Sequence, residues 1–294
     1  MIAIGELLFG RYRVDSLLSQ GAGIEIFLGA DLHALAPVHI KVWSEGCDPA
    51  AALLEGEAMA AVHHPGVVRL VDFGLHEGRQ PCLMMESVAG ETLAERLRRT
   101  GPLTWVEAFE LGAQVLEGLA TLHDEGLVHG DISTESLVLL PHGAASLGRR
   151  IKLVGLQHVT LAGNGEGRLA DEPPVGVLEY KAPEQLAGAG VRSSTDLYAL
   201  GVVLWEAITG ERPFTAEPES IPARLGWRPE LERVPGTSRL LPMSVKLAID
   251  HMVRSSLAYR ESDARVCARR LRAAVAIDGS RMASASGTWA MAAG

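Results

Sequence analysis

The residues of this chain best suited to chemistry lie near its middle, in His129-Gly130-Asp131-Ile132-Ser133-Thr134-Glu135-Ser136. A His-x-Asp pair is followed there by small hydroxyl side chains. An aspartate on a loop that leaves an amphipathic segment has three chemical readings: a general base, a helix cap or a turn residue. A second candidate is Ser19-Gln20-Gly21-Ala22-Gly23, a turn signal between two strand-like runs. Such a turn is either an ordinary hairpin or a bare-backbone loop able to cover phosphates. A third is Lys41, in the alternating run Val38-His39-Ile40-Lys41-Val42. Alternation puts His39 and Lys41 on one strand face and Val38, Ile40 and Val42 on the other. No aspartate occurs between Asp131 and Asp171. Cys47, Cys82 and Cys267 are far apart, without metal-ligand spacing, and read as three reduced thiols.

These residues must be positioned by a chain of 294 residues that is 47% apolar and 21% charged. That is enough for one large domain or two lobes, and too apolar for disorder. The net charge is −9, with basic residues scattered apart from short runs such as Arg149-Arg150 and Arg269-Arg270. This argues against a broad nucleic-acid footprint. The N-terminus has neither a basic n-region nor a long apolar run, so no signal peptide is expected. The longest apolar stretch, Leu197 to Leu204, is bracketed by Asp196 and Glu206. It is too short for a membrane span and reads as a buried core helix. A cytoplasmic location is expected.

Strand patterns cover Arg11 to Val14, Ile24 to Leu28 and Val38 to Val42, an antiparallel meander. Leu53, Leu54, Met59 and Val62 recur at helical spacing from Ala50 to Val62, and His64-Pro65-Gly66 stops that helix. Strands follow at Val67 to Asp72 and Pro81 to Val88. After Gly90 the texture is helical: Thr92 to Arg99, then Leu103 to Glu125 with Leu111, Val115, Leu119 and Leu122 on one stripe. The strand pair Leu137 to Leu140 and Ile151 to Val154 leads into a glycine-rich irregular stretch, Gly155 to Val177. Helices are expected from Asp196 to Thr209, Met243 to Leu257 and Asp263 to Ala276. Residues 279 to 294 read as a disordered tail or linker. A strand-rich portion followed by a larger helical one is an α+β pattern.

In order and spacing these segments resemble the eukaryotic-like, bacterial Hanks-type Ser/Thr protein kinase domain, from about Arg11 to about Ala274. The resemblance implies a bilobal α+β fold. A small antiparallel β lobe with one helix would take residues 1–86, a larger helical lobe 87–276, and a tail 277–294. It also implies roles. Gly21 matches the middle glycine of the phosphate loop, with Ser19 and Ile24 where the flanking ones would stand. Lys41 matches the lysine that pairs with phosphates and with a helix glutamate, which is Glu55 counted back from His64-Pro65. Leu83 to Gly90 is the hinge, with Met85 its gatekeeper. Glu86, Val88, Ile26 and Val138 fall at the nucleotide cleft. His39 stands where the family has a small residue above adenine, and would fill part of that space. Asp131 takes the position of the base that accepts the substrate hydroxyl proton.

Departures from the pattern cluster around Asp131. Gly130 replaces an arginine that senses a phosphorylated activation loop. Ser133 replaces a lysine that steadies the transferring phosphate, and Ser136 an asparagine that binds magnesium. Gly155-Leu156-Gln157 stands where Asp-Phe-Gly belongs, so no metal site is expected and no resident cofactor. Downstream, Gly176 to Glu184 matches the end of the activation segment, with Val177 in place of a threonine. Asp196 to Glu206 matches the central helix, Thr209 to Phe214 follows as the family does, and Arg260 should pair with Glu184. Met59, Leu70, His129 and Leu156, anchored by Asp196, match the regulatory spine; Ile26, His39 and Val138 match the other. The resemblance with these losses implies a pseudokinase that regulates or scaffolds through protein contacts, with an active kinase or signalling protein as partner and Asp131 as a remnant. The alternatives are a sensor that binds ATP without metal and a weak kinase that uses Asp131.

Overall fold

The alternating runs of the first part of the chain become a six-stranded antiparallel sheet in the order β1-β2-β3-β4-β6-β5. In this computed structural model the strands are β1 Leu7–Leu8, β2 Tyr12–Gly21, β3 Ile24–Asp31, β4 Ala36–Trp43, β5 Leu70–His76 and β6 Gln80–Glu86. Helix α1, Pro49–Ala61, connects β4 to β5. The structure describes residues 2–21, 23–43, 49–141, 150–156, 159–162, 177–214 and 241–279. Cys47, Gln157, Gly176, most of the glycine-rich stretch and residues 280–294 of the expected tail lie outside them.

Alternation divides the sheet's side chains between two cores. Val38, Ile40 and Val42 pack with Tyr12, Val14, Phe27, Cys82 and Met84 in a separate cluster on one face. Ile2 and Leu8 close that cluster from the N-terminal end, so residues ahead of Arg11, which had no sequence assignment, complete the sheet. On the other face Trp43, Leu83 and Met85 join the main core together with Ala52 and Met59 of α1. Gly56 lets α1 lie directly on β5: a Cβ there would sit 2.4 Å from Cδ2 of Phe73.

The β2–β3 hairpin is tighter than the turn signal suggested. Pairing continues to Gly21 opposite Ile24, so Ser19 and Gln20 are strand and not turn. Gly23, at φ +71°, supplies the left-handed backbone that short hairpin loops require. The strand expected from Val67 begins at Leu70 instead. Val67 and Val68 are drawn toward the second lobe, where Val68 N–H donates to Leu153 O at 2.8 Å and Leu153 N–H to Gly66 O at 2.8 Å.

The larger lobe contains β7 Glu91–Thr92, α2 Leu93–Thr100, α3 Trp105–Asp124, β8 Leu127–Val128, β9 Leu137–Leu139, β10 Ile151–Leu153 and β11 Thr160–Leu161. A 3-10 turn, Leu178–Tyr180, leads to α4 Pro183–Leu186, α5 Ser193–Thr209, α6 Met243–Met252 and α7 Ala264–Ala274. The helices start where side-chain acceptors meet free N–H groups. The hydroxyl of Thr92 accepts from Glu95 N–H, that of Thr104 from Glu107 N–H, and the carboxylate of Asp263 from Arg265 and Val266 N–H. Helix α5 is almost wholly buried and begins three residues before the expected Asp196, because the Thr195 hydroxyl caps the Arg192 N–H at 3.0 Å. Helix α6 stops at Met252 rather than Leu257. Beyond it the chain folds back so that Arg260 can donate to Arg254 O at 2.5 Å. Among the described residues no helix is long and apolar enough to cross a membrane.

Candidate functional site

Strand pairing places the sheet face that carries His39 and Lys41 in register. Ile24 lies opposite Trp43, Ile26 opposite Lys41 and Leu28 opposite His39. Lys41 and Glu55 are brought together as expected, with Nζ donating to Oε1 at 2.6 Å and side-chain exposures of 2% and 15%. Trp43, which sequence reasoning missed, puts its ring centroid 4.1 Å from the same ammonium. Alternation could have found it, since residue 43 shares the face of 39 and 41. Burial pushes the Lys41 ammonium down in pKa, opposed by Glu55. Burial likewise pushes the Glu55 carboxyl up, opposed by Lys41. His39 is half-buried, and desolvation holds its imidazole below the usual histidine range.

This pair yields a prediction with a pH signature. A carboxyl raised in the folded state contributes stability below its unfolded value of 4.5, and that contribution is lost as pH rises through the folded value. Lys41→Met removes both influences that oppose the rise. The variant is expected to lose about 2–3 kcal/mol at neutral pH, less than the ~3–5 for a stranded buried charge because Glu55 can take up a proton. The deficit relative to the unsubstituted protein should shrink as pH falls through the carboxylate range. Urea melts at several pH values measure it, and a pH-independent deficit contradicts the account.

The other positions that the resemblance assigned to a nucleotide cleft are spread more widely. Ile26 and Val138 are each 7% exposed. Val88 packs half-buried on the main core. Gly21 ends β2 with open space where a Cβ would be. The Glu86 carboxylate accepts from Arg69 N–H at 2.8 Å and from the Lys152 ammonium on β10, which ties the end of β6 to the second lobe.

The loop after β8 is built on Asp196, 1% exposed near the start of α5. Its carboxylate accepts from His129 N–H at 2.9 Å, Gly130 N–H at 2.8 Å and the His123 ring at 2.9 Å. Gly130 has φ +72°, a backbone that glycine adopts without strain. His129, fully buried, accepts the Asp131 N–H on Nδ1 at 3.2 Å. Its Nε2 therefore carries the proton and donates to Val154 O at 2.8 Å. The ring thus bridges the loop to the residue before Gly155. Met59 and Leu156 are buried in the same core, with Leu70 packed against it.

Ser133 and Ser136 close the loop on itself. Ser136 Oγ accepts from Ser133 N–H at 3.0 Å and donates to Ser133 O at 3.0 Å. Gly155, at φ +86°, faces them: a Cβ there would lie 3.4 Å from Ser136 Cβ and 3.6 Å from His129 Cε1. Asp131 Oδ1 accepts from Lys181 Nζ at 2.8 Å. Nothing in the periodicity or composition marked Lys181, because burial is what makes a lysine unusual. Glu184 and Arg260 pair as expected, at 2.6 and 3.0 Å, both almost fully buried.

A family model described as "Protein kinase domain" matches residues 12–262. The chain belongs to the protein kinase family. Its kinase domain is 34% identical over 215 residues to "Serine/threonine-protein kinase pkn2" of Myxococcus xanthus, an overlap covering 71% of this chain and 25% of that protein. It is 31% identical over 230 residues to "Serine/threonine-protein kinase PknA" of Mycobacterium tuberculosis, covering 73% of this chain and 50% of PknA. "Serine/threonine-protein kinase PknB" of the same species is 31% identical over 215 residues, covering 70% of this chain and 34% of PknB. The chain thus spans half or less of the length of these curated relatives. The antiparallel sheet and helical lobe of this kinase domain agree with the bilobal α+β fold expected from sequence.

Proposed function

We propose that this kinase domain is a pseudokinase that acts in the cytoplasm through protein contacts, as a regulator or scaffold for a signalling partner. The observation that carries the reading is the donor set beside Asp131. Phosphoryl transfer uses magnesium to bridge phosphate oxygens and neutralise developing charge, and magnesium requires oxygen ligands in near-octahedral array. Among the described residues, those at positions 136 and 155 do not fit that ion. Position 155 is a glycine, and the Ser136 hydroxyl is held in both directions by the Ser133 peptide. The lost electrostatic stabilisation at one such position alone is worth roughly 10² to 10³ in rate.

The cleft face supports the same conclusion. The Trp43 ring covers the Lys41 ammonium, with its centroid 4.1 Å away. Ile24 packs onto the main core where a phosphate loop would keep its backbone bare. His39 is half-buried among the strands, in line with its filling part of the adenine space. In this reading residues 1–86 and 87–276 form the two lobes, packed without ligand, and Asp131 does not act as a base.

One observation favours a second reading, a sensor that binds ATP without metal: the Lys41–Glu55 pair is intact at 2.6 Å. Titration calorimetry with ATP, first in EDTA and then with Mg²⁺ or Mn²⁺, separates the readings. No heat in either condition is the expected result. Binding in EDTA that magnesium does not strengthen would establish the sensor. Magnesium-dependent binding, followed by radiolabel transfer that Asp131→Asn abolishes, would establish a kinase and overturn the proposal.

A further inference from the structure

Lys181 lies between the 3-10 turn and α4, with its side chain 4% exposed. Its Nζ donates to Asp131 Oδ1 at 2.8 Å and to Gly130 O at 2.8 Å. Gln185, one turn on, donates from Nε2 to the same Gly130 carbonyl at 2.8 Å, while its Oε1 accepts from Ala182 N–H at 3.0 Å. Two side chains from one short stretch therefore grip consecutive residues of the loop. Position 133, two residues from Asp131, offers no charge: Ser133 Oγ accepts from Glu135 N–H at 3.3 Å. A carboxylate only 16% exposed is costly to keep without a counter-ion. In this loop that ion arrives from a segment about fifty residues further along the chain.

We propose that Lys181 is a relocated counter-ion for Asp131. It supplies, from the segment ahead of α4, the positive charge that position 133 lacks, and it positions the Asp131 carboxylate against its own loop. Asp131 then has a present task, which is to anchor residues 181–185 to the loop. An acceptor hydroxyl approaching Oδ1 would meet an ammonium already bonded there. The inference does not depend on whether the cleft binds nucleotide. Calorimetry decides that question, and thermal melts of charge-relocating variants decide this one.

Thermal melts of Lys181→Met, Asp131→Asn, their double variant, Ser133→Lys and Lys181→Met/Ser133→Lys provide the test. Lys181→Met should lower Tm by about 5–10 °C, the lower part of the range for stranding a buried charge in a domain of this size. The double variant with Asp131→Asn should lose no more than the worse single variant, since both remove one shared interaction. Ser133→Lys alone should not raise Tm, because Asp131 is already paired. In the Lys181→Met background it should recover at least half of the loss. Additive losses, or a Ser133→Lys that recovers nothing, would overturn the proposal and leave Lys181 as a packing residue. If Lys181→Met does not fold, the combined Lys181→Met/Ser133→Lys protein decides alone: a folded product supports relocation, and an unfolded one refutes it.

Discussion

Asp196→Ala is expected to lower stability by about 4–6 kcal/mol, because hydrogen bonds to a charged group are worth roughly 1.5–3 kcal/mol each. The carboxylate accepts three of them, from the His129 and Gly130 N–H groups and from the His123 ring. Alanine would leave two backbone donors unsatisfied in a part of the core where His129 is fully buried. For a domain of this size that corresponds to a Tm roughly 10–20 °C lower. Asp196→Asn retains one acceptor oxygen and should recover part of the loss. Scanning calorimetry of the two variants checks both statements. A loss below about 1 kcal/mol for alanine would mean that water replaces the carboxylate, and the loop would then not be built on Asp196.

Arg260→Met should come next, at about 3–5 kcal/mol, the cost of breaking a buried ion pair from one side. Arg260 donates to both Glu184 oxygens at 2.6 and 3.0 Å, and to the carbonyls of Arg254, Ser194 and Ser255. Its guanidinium also stacks 4.9 Å from the centre of the Tyr198 ring. Methionine replaces much of the stem but none of these donors, so Glu184 would keep the Thr195 hydroxyl at 2.8 Å as a partner. Adding Glu184→Gln to Arg260→Met should restore stability relative to Arg260→Met alone, because the stranded charge is then removed. Urea melts give the comparison. If Arg260→Met/Glu184→Gln is less stable than Arg260→Met, the penalty comes from lost packing and not from the buried charge.

Much of the site was legible in sequence because its residues stand at fixed spacings on regular elements. Strand alternation, a geometry that repeats every two residues, put Lys41 on one face with His39. That this face looks into a cleft, and that Glu55 is the partner of Lys41, came from the family resemblance. Arg260 and Glu184 were legible through the family resemblance, not through any local pattern. Ser19 and Gln20 are strand because the ladder runs on to Gly21 opposite Ile24, further than their turn-like composition suggests. The strand expected from Val67 and the helix expected to reach Leu257 were cut short by contacts with distant segments, at Leu153 in one case and through Arg260 in the other. Such contacts override local propensity.

By itself the sequence determined the two-part α+β order of elements, the family resemblance, and the residue types at 130, 133, 136 and 155, since composition at a position needs no coordinates. Only the tertiary structure decided what those residues do to one another. It folded the Ser136 hydroxyl back onto the Ser133 peptide, set Trp43 over Lys41, and completed the sheet with Leu7 and Leu8. It also delivered the Lys181 ammonium to Asp131. The reason is physical: an ion pair across about fifty residues of chain is chosen by burial and desolvation, and neither is a property of any local stretch of sequence.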